Sequence, residues 1–227
     1  MIKLIRLEYK KVRLTRFLLI SVLAVVILML WCIGNKSGHP EGYDSYQAAF
    51  AEINFYTNST FLIISSVLIT KIILDEYRKK TIMILFTYPH SRKRLMVAKL
   101  AFISLFTFCV TLVANFSVTS LFIFLAPTNQ ANLGLLTNDQ MLDSFLRICL
   151  YALATTGINF ISFFFGMFKK SPPATIIPPF LISLIISSHF YQLYSIWDVL
   201  ISTISCLVIG VLLAHYGIKK AVQLDVE

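Results

Sequence analysis

The chain has 227 residues, 57% hydrophobic and only 14% charged, with a formal net charge of +9 and a mean hydropathy of +0.78. Soluble domains carry roughly a quarter charged residues, and a water-soluble domain of this length has too little interior to hide so much apolar surface. Soluble enzymes and soluble nucleic-acid binders are therefore excluded, and the lipid bilayer is the solvent in which the sequence must be read.

In chain order, the leader Met1–Arg16 reads as an amphipathic helix lying in the membrane interface. At 100° per residue Ile2, Ile5, Tyr9 and Val12 share one face, and Lys3, Arg6, Lys10 and Arg13 share the adjoining one. Leu4, Leu7 and Leu14 interrupt that pattern, and a plain basic flank that fixes topology is the simpler alternative. Six apolar runs follow, each near the roughly 20 residues that a helix needs to cross ~30 Å of hydrocarbon. They are Phe17–Ile33, Ile53–Leu74, Val97–Ala126, Ile148–Phe168, Ala174–Phe190 and Val199–Gly217. The third is longer than a membrane requires and must tilt or project. The second is polar at its start (Asn54, Asn58) and carries Lys71 near its end. Backbone amides in lipid must pair internally, and an alternating barrel pattern is absent, so the runs are expected to be helices. The long basic leader and the lack of an A-x-A site after Ile33 favour a permanent first helix over a cleaved signal. The expected fold is an all-α membrane protein built as one transmembrane domain over residues 1–227.

Charge supplies an independent test. With a cytoplasmic N-terminus, the inner segments hold all 20 Lys and Arg except Lys36 and Arg147, whereas Glu41, Asp44, Glu52, Asp139, Asp143 and Asp198 lie outside. That distribution obeys the positive-inside rule and puts both termini in the cytoplasm. Trp31 and Trp197 fall at outer helix ends, where amphipathic rings prefer to sit. Topology and anionic lipid on the inner leaflet account for the positive charge, with no nucleic acid needed.

No catalytic constellation is legible. His39, His90, His189 and His215 are scattered, no HExxH or paired intramembrane carboxylates occur, and no G-x-x-x-x-G-K-[ST] is present for binding ATP. Cys32, Cys109, Cys149 and Cys206 fall inside apolar runs without a CxxC pair and read as buried small hydrophobes. Snorkelling explains Lys71 and Arg147 most simply. Asn115, Asn159, Thr155 and Thr156 read as glue between helices, with a polar path as the alternative. Pro178 and Pro179 inside the fifth run remove backbone donors, so a kink is expected there, either static or serving as a hinge.

The informative stretch is Asp75–Leu95, after the second run. Thr81 suits the cap of a short helix, Ile82, Leu85 and Phe86 then share an i, i+3, i+4 face, and Pro89 ends it; Ser91 suits the cap of the next helix. The outcome is an amphipathic helix across the cytoplasmic surface, flanked by dense positive charge and joined to two membrane helices. Such a face suits docking of a soluble partner, with a solvated basic loop as the simpler alternative.

At these residues the chain resembles the permease subunits of ABC-2 type ABC transporters, whose corresponding loop reads E-x-x-x-G-T, apolar residues, P-x-S-R, an apolar residue and a lysine. Glu76, Thr81, Pro89, Ser91, Arg92, Leu95 and Lys99 fit, and Lys80 stands where the family has glycine. The leader Glu8–Arg13 resembles the family's interfacial helix, and Lys219–Asp225 its basic tail. The likeness is nearest to small permeases of lantibiotic-immunity and bacitracin-type exporters. It implies six transmembrane helices and a coupling helix, Thr81–Tyr88, with Glu76, Thr81, Ile82, Leu85, Phe86, Pro89 and Arg92 engaging a separate ABC ATPase. It also implies a second permease copy or a paralogue, ATP and Mg held by the ATPase rather than by this chain, and a bacterial cell membrane. Export of an amphipathic antimicrobial peptide or a lipid-like compound is the function it implies. Two alternatives stay open on the residues alone. An ion-coupled transporter should show an intramembrane carboxylate, yet every Asp and Glu lies outside the six runs. A membrane-embedded lipid enzyme should cluster acids and histidines at one depth.

Overall fold

The computed structural model describes residues 14–38, 45–75, 92–125, 137–169, 171–190 and 195–223. They form six helices, with no strand among the described residues. These are α1 (Leu14–Gly38), α2 (Tyr46–Ile69, continued by a π-helical turn, Thr70–Leu74), α3 (Arg92–Leu125), α4 (Asn138–Lys169), α5 (Pro172–Phe190) and α6 (Ile196–Gln223). Five of them are long and apolar enough to cross a bilayer; the apolar stretch of α5, Pro172–Ile185, is shorter. At 1.5 Å per residue the 34 residues of α3 span about 51 Å. That exceeds the ~30 Å of hydrocarbon, so α3 tilts or projects, as its run predicts.

Several helices begin earlier than hydropathy indicates, because capping starts them in polar sequence. Ser45 caps α2, its Oγ accepting from the Ala48 N–H at 3.2 Å while its carbonyl accepts from Ala49. At the start of α4 the Thr137 N–H donates to Gln140 Oε1 at 3.2 Å, one half of a capping box. Helix therefore extends through Tyr46–Glu52 and Asn138–Asp143, which hydropathy reads as loop.

The helices run alternately up and down, and two apolar clusters show it. At the end marked by Arg16, Lys71, Lys99, Lys169 and Lys219, called here the basic end, Leu68, Ile69, Ile72, Ile73 and Leu74 of α2 pack with Met96, Leu100 and Ile103 of α3. Phe163 and Met167 of α4 and Ala214 of α6 complete this cluster. At the opposite end, Leu28 and Cys32 of α1 meet Ala49, Phe50, Ile53 and Phe61 of α2 and Ala114, Val118 and Phe122 of α3. The α4 helix is the hub, packing on α2, α3, α5 and most extensively on α6.

Glycine makes the α4–α6 contact close. A Cβ on Gly157 would sit 2.8 Å from the Cys206 carbonyl oxygen, and one on Gly210 would overlap the Gly157 carbonyl. The two backbones thus touch directly, as small residues permit between membrane helices. On another face of α4, a Cβ on Gly166 would come within 2.5 Å of Thr175 Oγ1 of α5. By contrast, α1 and α6 turn much of their apolar surface outward: Leu19, Leu23 and Leu30 of α1 and Ile201 and Leu212 of α6 are all exposed. That is the expected surface for helices that meet lipid or another membrane protein.

Candidate functional site: a buried polar layer between the two apolar clusters

From within the second cluster to the edge of the basic-end one runs a set of uncharged polar side chains on α2, α3, α4 and α5. Removing such groups from water costs free energy unless they pair, so their partners define how the helices are tied together. Ser65 Oγ of α2 donates to Asn159 Oδ1 of α4 at 2.5 Å. Asn115 of α3 donates through Nδ2 to Asn58 Oδ1 of α2 at 3.2 Å and to its own helix's Thr111 carbonyl at 3.1 Å. Asn115 and Asn159 therefore act as the interhelical glue that the sequence suggests. Thr155 and Thr156 do not: they donate back to the carbonyls of Ala152 and Leu153 within α4, at 2.7 and 2.6 Å.

A second node joins three helices. Ser162 Oγ of α4 lies 3.2 Å from Ser66 Oγ of α2 and donates to the Thr175 carbonyl of α5 at 2.5 Å. The sequence of α5 explains that last bond. An α-helical carbonyl normally accepts from the N–H four residues on, and for Thr175 that residue is Pro179, which has none. The proline frees a carbonyl at a fully buried residue, and the Ser162 hydroxyl occupies it, as required where no water competes. Pro178 and Pro179 do lie inside a continuous helix. The same node reaches the π-helical turn: Thr70 Oγ1 donates to the Ser66 carbonyl at 2.9 Å, and the Asp75 backbone N–H donates to the Thr70 carbonyl, one residue further than in an α-helix.

The residues expected to couple to an ATPase, Glu76, Thr81, Ile82, Leu85, Phe86 and Pro89, lie outside the described residues, as does the expected interfacial helix up to residue 13. Arg92 opens α3. What is described is the pair of helix ends that flank residues 76–91. The π-helical turn ends α2, Met96–Ile103 lies in the first turns of α3, and both sit in one apolar cluster beside a Lys99 that is 3% exposed. Lys71 is exposed and pairs with Asp75 at 3.3 Å. Arg147 is held by Asp143 one turn earlier at 2.8 Å, with the Tyr151 side chain also hydrogen-bonded to it. Lys71 thus has a partner at the end of α2, in keeping with snorkelling, whereas Arg147 lies more than two turns inside α4 and is held by Asp143 and Tyr151 rather than by reaching a helix end.

The cysteines need one correction. Cys32 is buried, Cys149 and Cys206 are half-buried, and Cys109 is exposed on the surface of α3. A small thiol is apolar enough to face lipid, so an apolar run does not imply an interior position. Among the described residues no group of three or more His, Cys, Asp or Glu could hold a metal ion. The sequence reading did not single out Thr107, Thr111 and Thr119, which with Asn115 recur every fourth residue and mark one polar face of α3. That helical spacing was a legible signal. Ser66, Ser162 and Thr175 carry no comparable pattern.

The family model described as "ABC-2 family transporter protein" matches residues 4–188. A relative from Bacillus subtilis (strain 168), "Uncharacterized protein YcbO", is 31% identical over 226 residues, covering 98% of this chain and 99% of the relative. No solved structure matches. The long apolar helices make this a multi-pass membrane protein, and the match over most of its length shows that the chain belongs to the ABC-2 transporter family, whose members are membrane subunits that work with an ABC ATPase.

Proposed function

We propose that the chain is the permease of an ABC exporter in a bacterial cell membrane. In this reading it has six spans and two cytoplasmic termini, and it pairs with a second copy or a paralogue. Its cargo is an amphipathic peptide, such as a lantibiotic or another antimicrobial, or a lipid-like compound. ATP and Mg belong to the ATPase, and Thr81–Tyr88 is the coupling helix that the ATPase grips. Glu76 and Arg92 flank that helix, Thr81 caps it, Pro89 ends it, and Ile82, Leu85 and Phe86 form its apolar face. One observation carries the proposal: the helix ends on either side of residues 76–91 share a single apolar cluster. A push on the intervening segment would therefore move α2 and α3 as a unit. Along α2 that displacement meets Ser66 and, through Ser162, the proline-containing helix α5.

Co-expression with an ABC ATPase encoded beside the gene tests the proposal. The two chains should co-elute, and Leu85→Asp or Phe86→Asp should abolish co-elution while the permease still folds. An ATPase that binds both variants as well as it binds the unaltered chain would remove the coupling assignment.

A further inference from the structure

The α2–α3 seam toward the Phe50–Phe122 end holds buried polar oxygens that the seam's own groups leave unsatisfied. Both amide protons of Asn115 are committed, to Asn58 Oδ1 and to the Thr111 carbonyl. Four buried oxygens along the same seam have no protein partner: Asn54 Oδ1, Thr57 Oγ1, Asn115 Oδ1 and Thr119 Oγ1. Their residues are 3%, 1%, 0% and 5% exposed. Helix register brings them together. The helices are antiparallel, Asn58 meets Asn115, and Phe50 meets Phe122 edge-on with ring centroids 6.0 Å apart. Asn54 and Thr119 each lie four residues from that asparagine pair, toward the phenylalanines, and so stand one turn along on the facing sides.

Four unpaired oxygens at one contact are too many for chance imperfection in packing, because each costs free energy if left dry. They call for a small group that donates to the two amide oxygens and accepts from the two threonine hydroxyls. None of Asn54, Thr57, Asn58, Thr111, Asn115 and Thr119 is charged, so a bound cation would bring an unneutralised charge into a low-dielectric interior. Water supplies two protons, fits between helices, and typically makes about three hydrogen bonds to otherwise unsatisfied groups. We infer that the α2–α3 seam is a buried water site, with bound water bridging Asn54, Thr57, Asn115 and Thr119. Phe61, which is 2% exposed, follows on the same face of α2 and walls the site from Ser65 and Ser66. Water-mediated bonds re-form readily after a small slide. The site would thus let the far ends of α2 and α3 readjust while their basic ends move together, a role that rests on the proposed coupling, although the water site does not.

The test uses the isolated chain in lipid nanodiscs, with no ATPase present, so failure of the coupling proposal would leave it intact. With ¹⁵N-asparagine labelling, solid-state NMR transfer from water should reach the Asn115 side-chain amide, identified by its loss in Asn115→Leu. Thr57→Val and Thr119→Val, each an isosteric loss of one bridging oxygen, should lower the thermal midpoint by about 2–8 °C. An absence of water transfer to Asn115, or a midpoint raised by the valines, would mean dry orphaned oxygens and overturn the inference. A midpoint that falls when NaCl or KCl is replaced by choline chloride would overturn it in favour of a bound cation.

Discussion

Replacing Ser162 by Ala removes the donor that occupies the Thr175 carbonyl, and the structure fixes how much that should cost. A hydrogen bond between membrane helices averages about 0.6 kcal/mol, because the freed groups usually find another partner. Thr175 has no ready alternative within its helix, since Pro179 lacks the N–H that would otherwise serve its carbonyl. The cost of Ser162→Ala should therefore approach that of a stranded buried acceptor, about 1–3 kcal/mol. Pro179→Ala restores the missing N–H. In that background Ser162→Ala should lose only an ordinary side-chain bond, near 0.6 kcal/mol. The double-mutant cycle should thus show a coupling of roughly 0.5–2 kcal/mol between residues in different helices. Unfolding of the four purified chains in mixed micelles, titrated with SDS, measures each corner. An equal cost for Ser162→Ala in both backgrounds would refute the argument that the proline creates the acceptor and the serine satisfies it.

Three further outcomes follow from the packing. Gly210→Leu should separate α4 from α6 and lower the unfolding midpoint in the same titration by more than Gly34→Leu, because Gly34 has open space around it. Lys71→Ala should change stability by less than about 0.5 kcal/mol, since its pair with Asp75 is an exposed i, i+4 contact. Combining Thr137→Ala with Gln140→Ala should cost about 0.5–2 kcal/mol. Hydrogen exchange should show that cost as faster exchange over Asn138–Phe145 with α6 unaffected.

The apolar runs predict every long helix, because hydrocarbon leaves the backbone no alternative to pairing with itself. Helix starts are less legible in hydropathy, since Ser45 and Thr137 act through single hydrogen bonds that an average over many residues conceals. Part of the polar layer is readable: Thr107, Thr111, Asn115 and Thr119 recur with the period of one helix. The Ser66–Ser162–Thr175 node is not, because its members come from three helices with no shared spacing. Only folding brings Ser162 to the carbonyl that Pro179 leaves open. The adjoining prolines mark where a donor would be missing, but not what would replace it.

The π-helical turn at Thr70–Leu74 acts as a phase shifter. It inserts one residue beyond the α-helical count, so the end of α2 at Asp75 is rotated by about 100° from the direction that an unbroken α-helix would give it. Deleting a single residue there would restore the simpler winding only by turning some of Ile72, Ile73 and Leu74 out of the cluster that they fill. The angle at which the end of α2 meets α3 is thus set by one surplus peptide unit.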